Sequence, residues 1–299
     1  MQKSDSFFKG MFFLFLAQIM VGINIVLSKY ILASIPIQFI LALRFSLAAA
    51  NLFMLHQVSP ARKQSIAYYF SQLKRRDWYF ILAQALCAGV LFNALMLLGL
   101  HYTDANVAGI ITSVLPAIIA LMSWIVLNEK ISGKTAICIG FATFGLLVIA
   151  REKLGGAVVS HSFLGDAIVL ISLFPEAAYY ILSKMYVSSL PVFLVSSLLN
   201  GINAILLLCF VSLSSWSGIH IDAFGWWILM ILGLSSGLFY VFWYFGSQRV
   251  DGVMASLSTA IMPLATVMLA WLLLGEKLTM GQMIGMGMVL LSIIIYAKR

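Results

Sequence analysis

Long apolar runs alternate with short polar breaks along the chain, and the runs have the length of membrane spans. A helix needs about 20 apolar residues to cross the hydrocarbon, and only a helix satisfies its own backbone there without strand partners. The runs fall at 10–33, 36–56, 77–99, 105–127 and 132–150, then at 164–187, 191–212, 224–247, 252–274 and 279–297. Pro36 and Pro191 stand where one run ends and the next begins, since proline cannot continue a helix but fits its first turn. The first run has no small-residue cleavage site promptly after it and reads as an uncleaved span. The pattern predicts an all-α polytopic membrane protein of ten transmembrane helices, with antiparallel neighbours joined by short connections.

The polar positions also repeat. Asp104, Pro116, Trp124 and Glu129-Lys130 return as Asp251, Pro263, Trp271 and Glu276-Lys277, always 147 positions on. Leu27-Ser28-Lys29, Ser34 and Pro36 return as Leu182-Ser183-Lys184, Ser189 and Pro191, 155 positions on. In so apolar a chain a shared Leu means little, whereas shared Pro, Trp, Asp and Glu-Lys point to duplication. The expected organisation is a five-helix repeat over 1–150, a linker over 151–163 (REKLGGAVVSHSF) and a second five-helix repeat over 164–299.

Composition removes the soluble alternatives. Hydrophobic residues make up 63% and charged residues 9%, against about 25% charged in a soluble domain, and mean hydropathy is +1.05. The net charge of +8 reads as a topology signal rather than a nucleic-acid patch, because the basic residues sit in short loops beside apolar runs. With the N-terminus inside, the cytoplasmic segments hold Lys3, Lys9, Arg62, Lys63, Lys74, Arg75, Arg76, Lys130, Lys134, Arg249, Lys298 and Arg299. The opposite side holds Arg151, Lys153 and Lys277. Both termini are expected in the cytoplasm. Five spans per repeat is odd, so the second copy enters upside down, an arrangement many secondary transporters use around a midplane site. Short termini and the lack of a targeting sequence suggest a bacterial inner membrane. The 57–76 segment is the longest cytoplasmic loop, read as a positive-inside loop or a short interfacial helix. Cys87, Cys138 and Cys209 lie in apolar runs without metal-ligand spacing. No metal or other cofactor is expected, and no P-loop is present.

Gly22-Ile23-Asn24, Lys29, Pro36, Arg44-Phe45, Pro116, Glu129-Lys130 and Gly140 form one half of a further pattern. Gly233, Gly237, Pro263, Leu274-Gly275-Glu276-Lys277 and Gly287 form the other. Together they resemble the drug/metabolite transporter superfamily, and its EamA-type members in particular. The resemblance implies ten helices as two inverted repeats of five, with a central cavity between the first four helices of each half. It also implies export of amino acids or related small metabolites by alternating access; enzyme motifs are missing from the sequence, and no enzymatic activity is expected. Other members carry drugs, nucleotide sugars or triose phosphates. Many EamA-type proteins carry a tryptophan where this chain has Pro175-Glu176, so substrate identity does not transfer. Toxic-cation efflux by proton antiport is the alternative, and a membrane enzyme or receptor is the alternative from another class.

Candidate chemistry centres on Glu176, an ionisable group inside the sixth run. Glu176, Tyr180 and Lys184 are spaced to share one helix face. Glu176 reads as a proton site, as an anchor for a substrate ammonium, or as a structural carboxyl either kept protonated or paired with Lys29 or Arg44. Arg44 reads as a snorkelling residue ahead of a carboxylate clamp. Lys29 and Lys184 read as scaffold or gate. Asn24, Asn93, Tyr179, Tyr180, Asn200, Tyr240, Trp243 and Tyr244 are expected to line a cavity or to hold helices together. Pro116 and Pro263 are expected to kink their spans as gating hinges. Glu129 and Glu276 are expected to cap the helices that follow them. The Gly233/Gly237 and Gly281/Gly285 pairs are expected to serve packing within the chain, and the protein is expected to be a monomer or weak dimer.

Overall fold

A computed structural model describes residues 2–127, 162–185, 190–212, 221–250, 255, 258–259, 261–277 and isolated positions within 133–144 and 279–291. The fifth and tenth predicted spans, Glu129-Lys130 and most of the 151–163 linker lie outside the described residues, as does the Lys184 side chain.

Among the described residues every regular element is helical. We label the long ones α1 (Gln2–Ile31), α2 (Ile37–Val58), α3 (Arg75–Tyr102), α4 (Ala105–Val126), α5 (Phe163–Met185), α6 (Val192–Ser212), α7 (Ala223–Ser247) and α8 (Ile261–Leu274). Thus α5 to α8 correspond to the sixth to ninth predicted spans. Seven of the eight, α1 to α7, are long and apolar enough to cross a membrane. The 57–76 segment is helical in part, with a 3-10 turn at Pro60–Lys63 and a short helix at Ile66–Ser71 whose N-cap is Ser65.

The polarity of the bundle is that of a lipid-solvated protein. Gln18, Asn24, Arg44, Glu176, Asn200 and Asn203 are buried, while Trp227, Trp271, Leu272 and Ile205 are exposed. In lipid, burial gains little for a leucine but much for an amide that finds a partner. Helices of the first half pack chiefly on helices of the second: α2 on α6, α1 on α7 and α8, α3 on α5. Gly233 and Gly237 lie on the α7 face against α2, where a Cβ would stand 2.6 Å from the Leu47 Cβ and 3.0 Å from Leu52. That pair lets two backbones approach within the chain, as its spacing suggests.

The prolines act locally. Pro116 offers no N–H to the Thr112 carbonyl one turn earlier, and α4 tightens to a 3-10 turn over Thr112–Val114. Pro263 stands in the first turn of α8, just after a turn at Thr259, where its missing N–H leaves no helical bond unmade.

Candidate functional site

The site grows out of a local irregularity. Over Ala85–Leu91, α3 winds as a π-helix, a feature frequent at functional sites because it displaces carbonyls from the regular ladder. Asn93, two residues beyond, turns its side chain back on that segment. Its Nδ2 donates to the Ala88 carbonyl at 2.6 Å and the Gly89 carbonyl at 2.8 Å. The carboxamide is thereby fixed with Oδ1 outward, and Oδ1 accepts a short hydrogen bond from Nη2 of Arg44 on α2.

Arg44 is 1% exposed and its Nε has no partner. The snorkelling expectation is therefore corrected: the guanidinium turns into the bundle, held by Asn93 and lying 4.9 Å from the Phe45 ring centre. Its position near the start of the span suggested a route to the headgroups, but the amide prepared by the π-helical turn gives it a buried partner.

Arg44 and Asn93 line a cavity of about 30 Å³ together with Asn24, Glu176, Tyr240, Phe92, Phe239 and Ser236, and with Val21, Ile25, Ala88, Met96 and Leu97. That volume holds about two waters, so a solute the size of an amino acid requires the helices to part. Glu176 is 1% exposed, and neither carboxylate oxygen has a hydrogen-bond partner. The expected structural pairing with Lys29 or Arg44 is absent. Lys29 instead donates to carbonyls at the end of α3. The cavity thus holds an acid from α5 and a base from α2 that face the same space without bonding each other.

The remaining predicted residues divide by depth. Asn24 both lines the cavity and joins helices: Nδ2 donates to Ser235 Oγ at 3.0 Å, and Oδ1 accepts from Ser236 Oγ at 2.9 Å, both on α7. Tyr179, Tyr180, Trp243 and Tyr244 are not in the cavity wall. They form an adjoining aromatic layer, with Tyr180 and Trp243 rings 4.4 Å apart and the Tyr179 and Tyr240 rings 5.7 Å apart. Two glutamines that sequence reasoning passed over tie that layer across the bundle. Gln18 donates to the Tyr180 hydroxyl at 3.2 Å, and the Tyr244 hydroxyl donates to Gln84 at 3.0 Å. A lone Gln in an apolar run was the available signal. Asn200 lies outside the cavity wall, on the buried face of α6 that also carries Ser196 and Asn203. Among the described residues no group of His, Cys, Asp and Glu could hold a metal ion.

A buried carboxyl and a buried guanidinium facing one small, largely apolar cavity, inside a bundle joined through its two halves, fit a carrier. Comparison with known proteins agrees. The description of the EamA-like transporter family matches residues 8–151 and again residues 163–297. The chain belongs to the EamA-like transporter family. It is therefore a multi-pass integral membrane protein of the drug/metabolite transporter class. Among similar proteins is the uncharacterized transporter YetK of Bacillus subtilis, 25% identical over 284 residues, covering 92% of this chain and 82% of that one. An uncharacterized transporter of Archaeoglobus fulgidus is 25% identical over 231 residues, covering 76% and 80%. A solved crystal structure superposes with a TM-score of 0.70 at 16% identity, covering 98% of this chain and 96% of the other, which is a likeness of fold.

Proposed function

We propose that this EamA-like transporter is a secondary carrier that exports amino acids or closely related zwitterionic metabolites by alternating access. The observation that carries the reading is the unpaired arrangement of Arg44 and Glu176 across one cavity. A guanidinium recognises a carboxylate through charge-assisted bonds, and a carboxylate recognises an ammonium. A zwitterion satisfies both at once and leaves no buried charge unpaired, which is the costly outcome in a membrane interior. Tyr240 and Phe239 add ring surface beside Glu176 for the substrate's side chain or cation.

Toxic-cation efflux is the second reading, favoured by Glu176 beside those rings. Arg44 weighs against it. A lone cation in this cavity meets Glu176 but also an uncompensated guanidinium, and like charge in a poorly solvated space rejects the wrong ligand.

The test is counterflow of radiolabelled amino acids and of a cationic dye in proteoliposomes, with and without an imposed pH gradient. Wild type is expected to exchange a zwitterion, with Arg44→Gln reducing uptake at least tenfold. Glu176→Gln is expected to lose gradient-driven accumulation as well. Dye uptake that survives Arg44→Gln, with no amino acid moved, selects the cation reading. Equal amino-acid flux in Glu176→Gln and wild type, gradient or not, makes the protein a facilitator in which Glu176 is structural.

A further inference from the structure

At one end of the bundle α3 turns into α4 through Thr103 and Asp104, and charged side chains from several helices converge there. Lys29 donates from Nζ to the carbonyls of Leu100 at 2.7 Å and Thr103 at 2.6 Å. These carbonyls close α3, where no helical N–H reaches and the helix dipole is negative. Thr103 Oγ1 donates to Asp166 Oδ1 on α5 at 2.7 Å, and the Ser162 N–H donates to the Tyr102 carbonyl at 2.8 Å. Glu276 takes the first amides of α4: Ala105 N–H donates to Oε1 at 3.0 Å and Asn106 N–H to Oε2 at 2.7 Å. The expectation that Glu276 caps the helix following it is corrected, because it caps a helix from the other half of the chain. Gly275 makes that reach possible, since α8 ends on it with φ 65, a left-handed turn that side chains resist.

Asp166 and Glu276 come from the second half, Ser162 from the linker just before it, and their partners come from the first. Any movement that opens the cavity toward this end must part them. One group in the corner is unfinished. Asn106 Nδ2 donates to the Lys277 carbonyl at 3.3 Å, which fixes the carboxamide, and Asn106 Oδ1 is buried with no partner. The Glu276 carboxylate, which already accepts from the backbone N–H of Asn106, offers only acceptors when ionised. A protonated carboxyl offers one O–H while each oxygen keeps a lone pair for its amide.

We propose that Glu276 is a proton-binding residue of a gate. A hydronium proton forms an O–H bond on the Glu276 carboxylate and leaves water behind. That O–H donates to Asn106 Oδ1 and latches this end of the transporter closed. The proposal rests on the carrier reading above, and by the Lys/Arg distribution the gate faces away from the cytoplasm.

The electrostatics run the same way. Burial holds the Glu276 carboxyl above its ordinary value, against the pull of its two backbone bonds; Asp104 raises it further and Lys29 lowers it. The other titratable groups at the corner are Asp166, bonded to Thr103, and the exposed Lys277 and His101. A proton held more tightly in the closed corner than in an opened, hydrated one favours closure as pH falls. That preference is lost as pH rises through the closed-state value.

The test uses the full chain with its native cysteines replaced, spin-labelled at His101→Cys and Met280→Cys, and pulsed dipolar distances measured in nanodiscs across a pH series. Wild type is expected to show one short distance in acid and a growing long-distance population in alkali. For a single proton the open-to-closed ratio changes by at most about tenfold per pH unit. Glu276→Gln, which keeps a donor and an acceptor without charge, is expected to stay short at every pH. Glu276→Ala is expected to show the long distance at every pH, and a monodisperse elution profile checks that it folds. A wild-type distribution that ignores pH, or Gln and Ala variants that behave alike, overturns the proposal. Counterflow of the same variants, reconstituted in proteoliposomes, separates the two readings. A zwitterion that moves while the distances ignore pH sinks the gate alone. Distances that follow Glu276 with no zwitterion moved sink the substrate assignment and keep the gate.

Discussion

The carboxamide of Asn93 does two jobs at once: its nitrogen closes the π-helical turn and its oxygen neutralises part of a buried guanidinium. The two jobs separate by substitution. Asn93→Ala leaves Arg44 without a buried acceptor and is expected to cost about 1–3 kcal/mol, the usual penalty for an orphaned buried polar group. Asn93→Asp keeps an acceptor for Arg44 and adds a countercharge but sets an oxygen against the Ala88 and Gly89 carbonyls, so it is expected to melt below wild type and to lose counterflow, because Arg44 is then already paired. Thermal unfolding in detergent together with flux reads both; an Asp variant that transports normally removes Arg44 from substrate recognition. At this scale the sequence was partly legible. Glu176 announces itself as an acid in an apolar run. The inward turn of Arg44 was hidden, since distance from a helix end says nothing about a partner on another helix.

Helices carry the next layer of constraint. Gly89 lies in the π-helical segment, and a Cβ there would fall 1.9 Å from Nδ2 of Asn203 on α6. The Asn203 carboxamide has no hydrogen-bond partner and is fully buried, so its contact with the segment is one of shape. Gly89→Ala is expected to cost about 1–3 kcal/mol through overpacking. The double variant Gly89→Ala/Asn203→Ala is expected to recover most of that loss in a thermal melt, and strictly additive losses would show that the two side chains are not in register. Spans α1 to α7 could be read from the apolar runs, and the tightened turn before Pro116 from the proline. The π-helical winding could not be read, because the lone Gly89 within residues 85–91 weakens a helix without specifying how it winds. Glu276 was expected to act locally because sequence shows only its chain neighbours, whereas the turn at Gly275 sends it across the bundle.

At the level of the whole molecule, α1, α2 and α3 each find their main packing partner beyond residue 161. A chain cut within 151–163 is therefore expected to reassemble when both pieces are co-expressed, giving a complex that co-purifies and restores counterflow. Either piece alone is expected to aggregate on extraction; a first piece that purifies as a stable monomer contradicts the packing described. The same interlocking bears on how the chain is made. Spans leave the translocon in order, so Arg44 enters lipid long before α5 exists. Its bond to Asn93 spans only 49 residues, and both groups belong to the part synthesised first. Asn24, whose partners lie more than 200 residues away on α7, has no such early shelter beyond its own Met20 carbonyl at 2.9 Å. The most hydrophilic side chain of the core is the one provided for during biogenesis, before there is a cavity for it to serve.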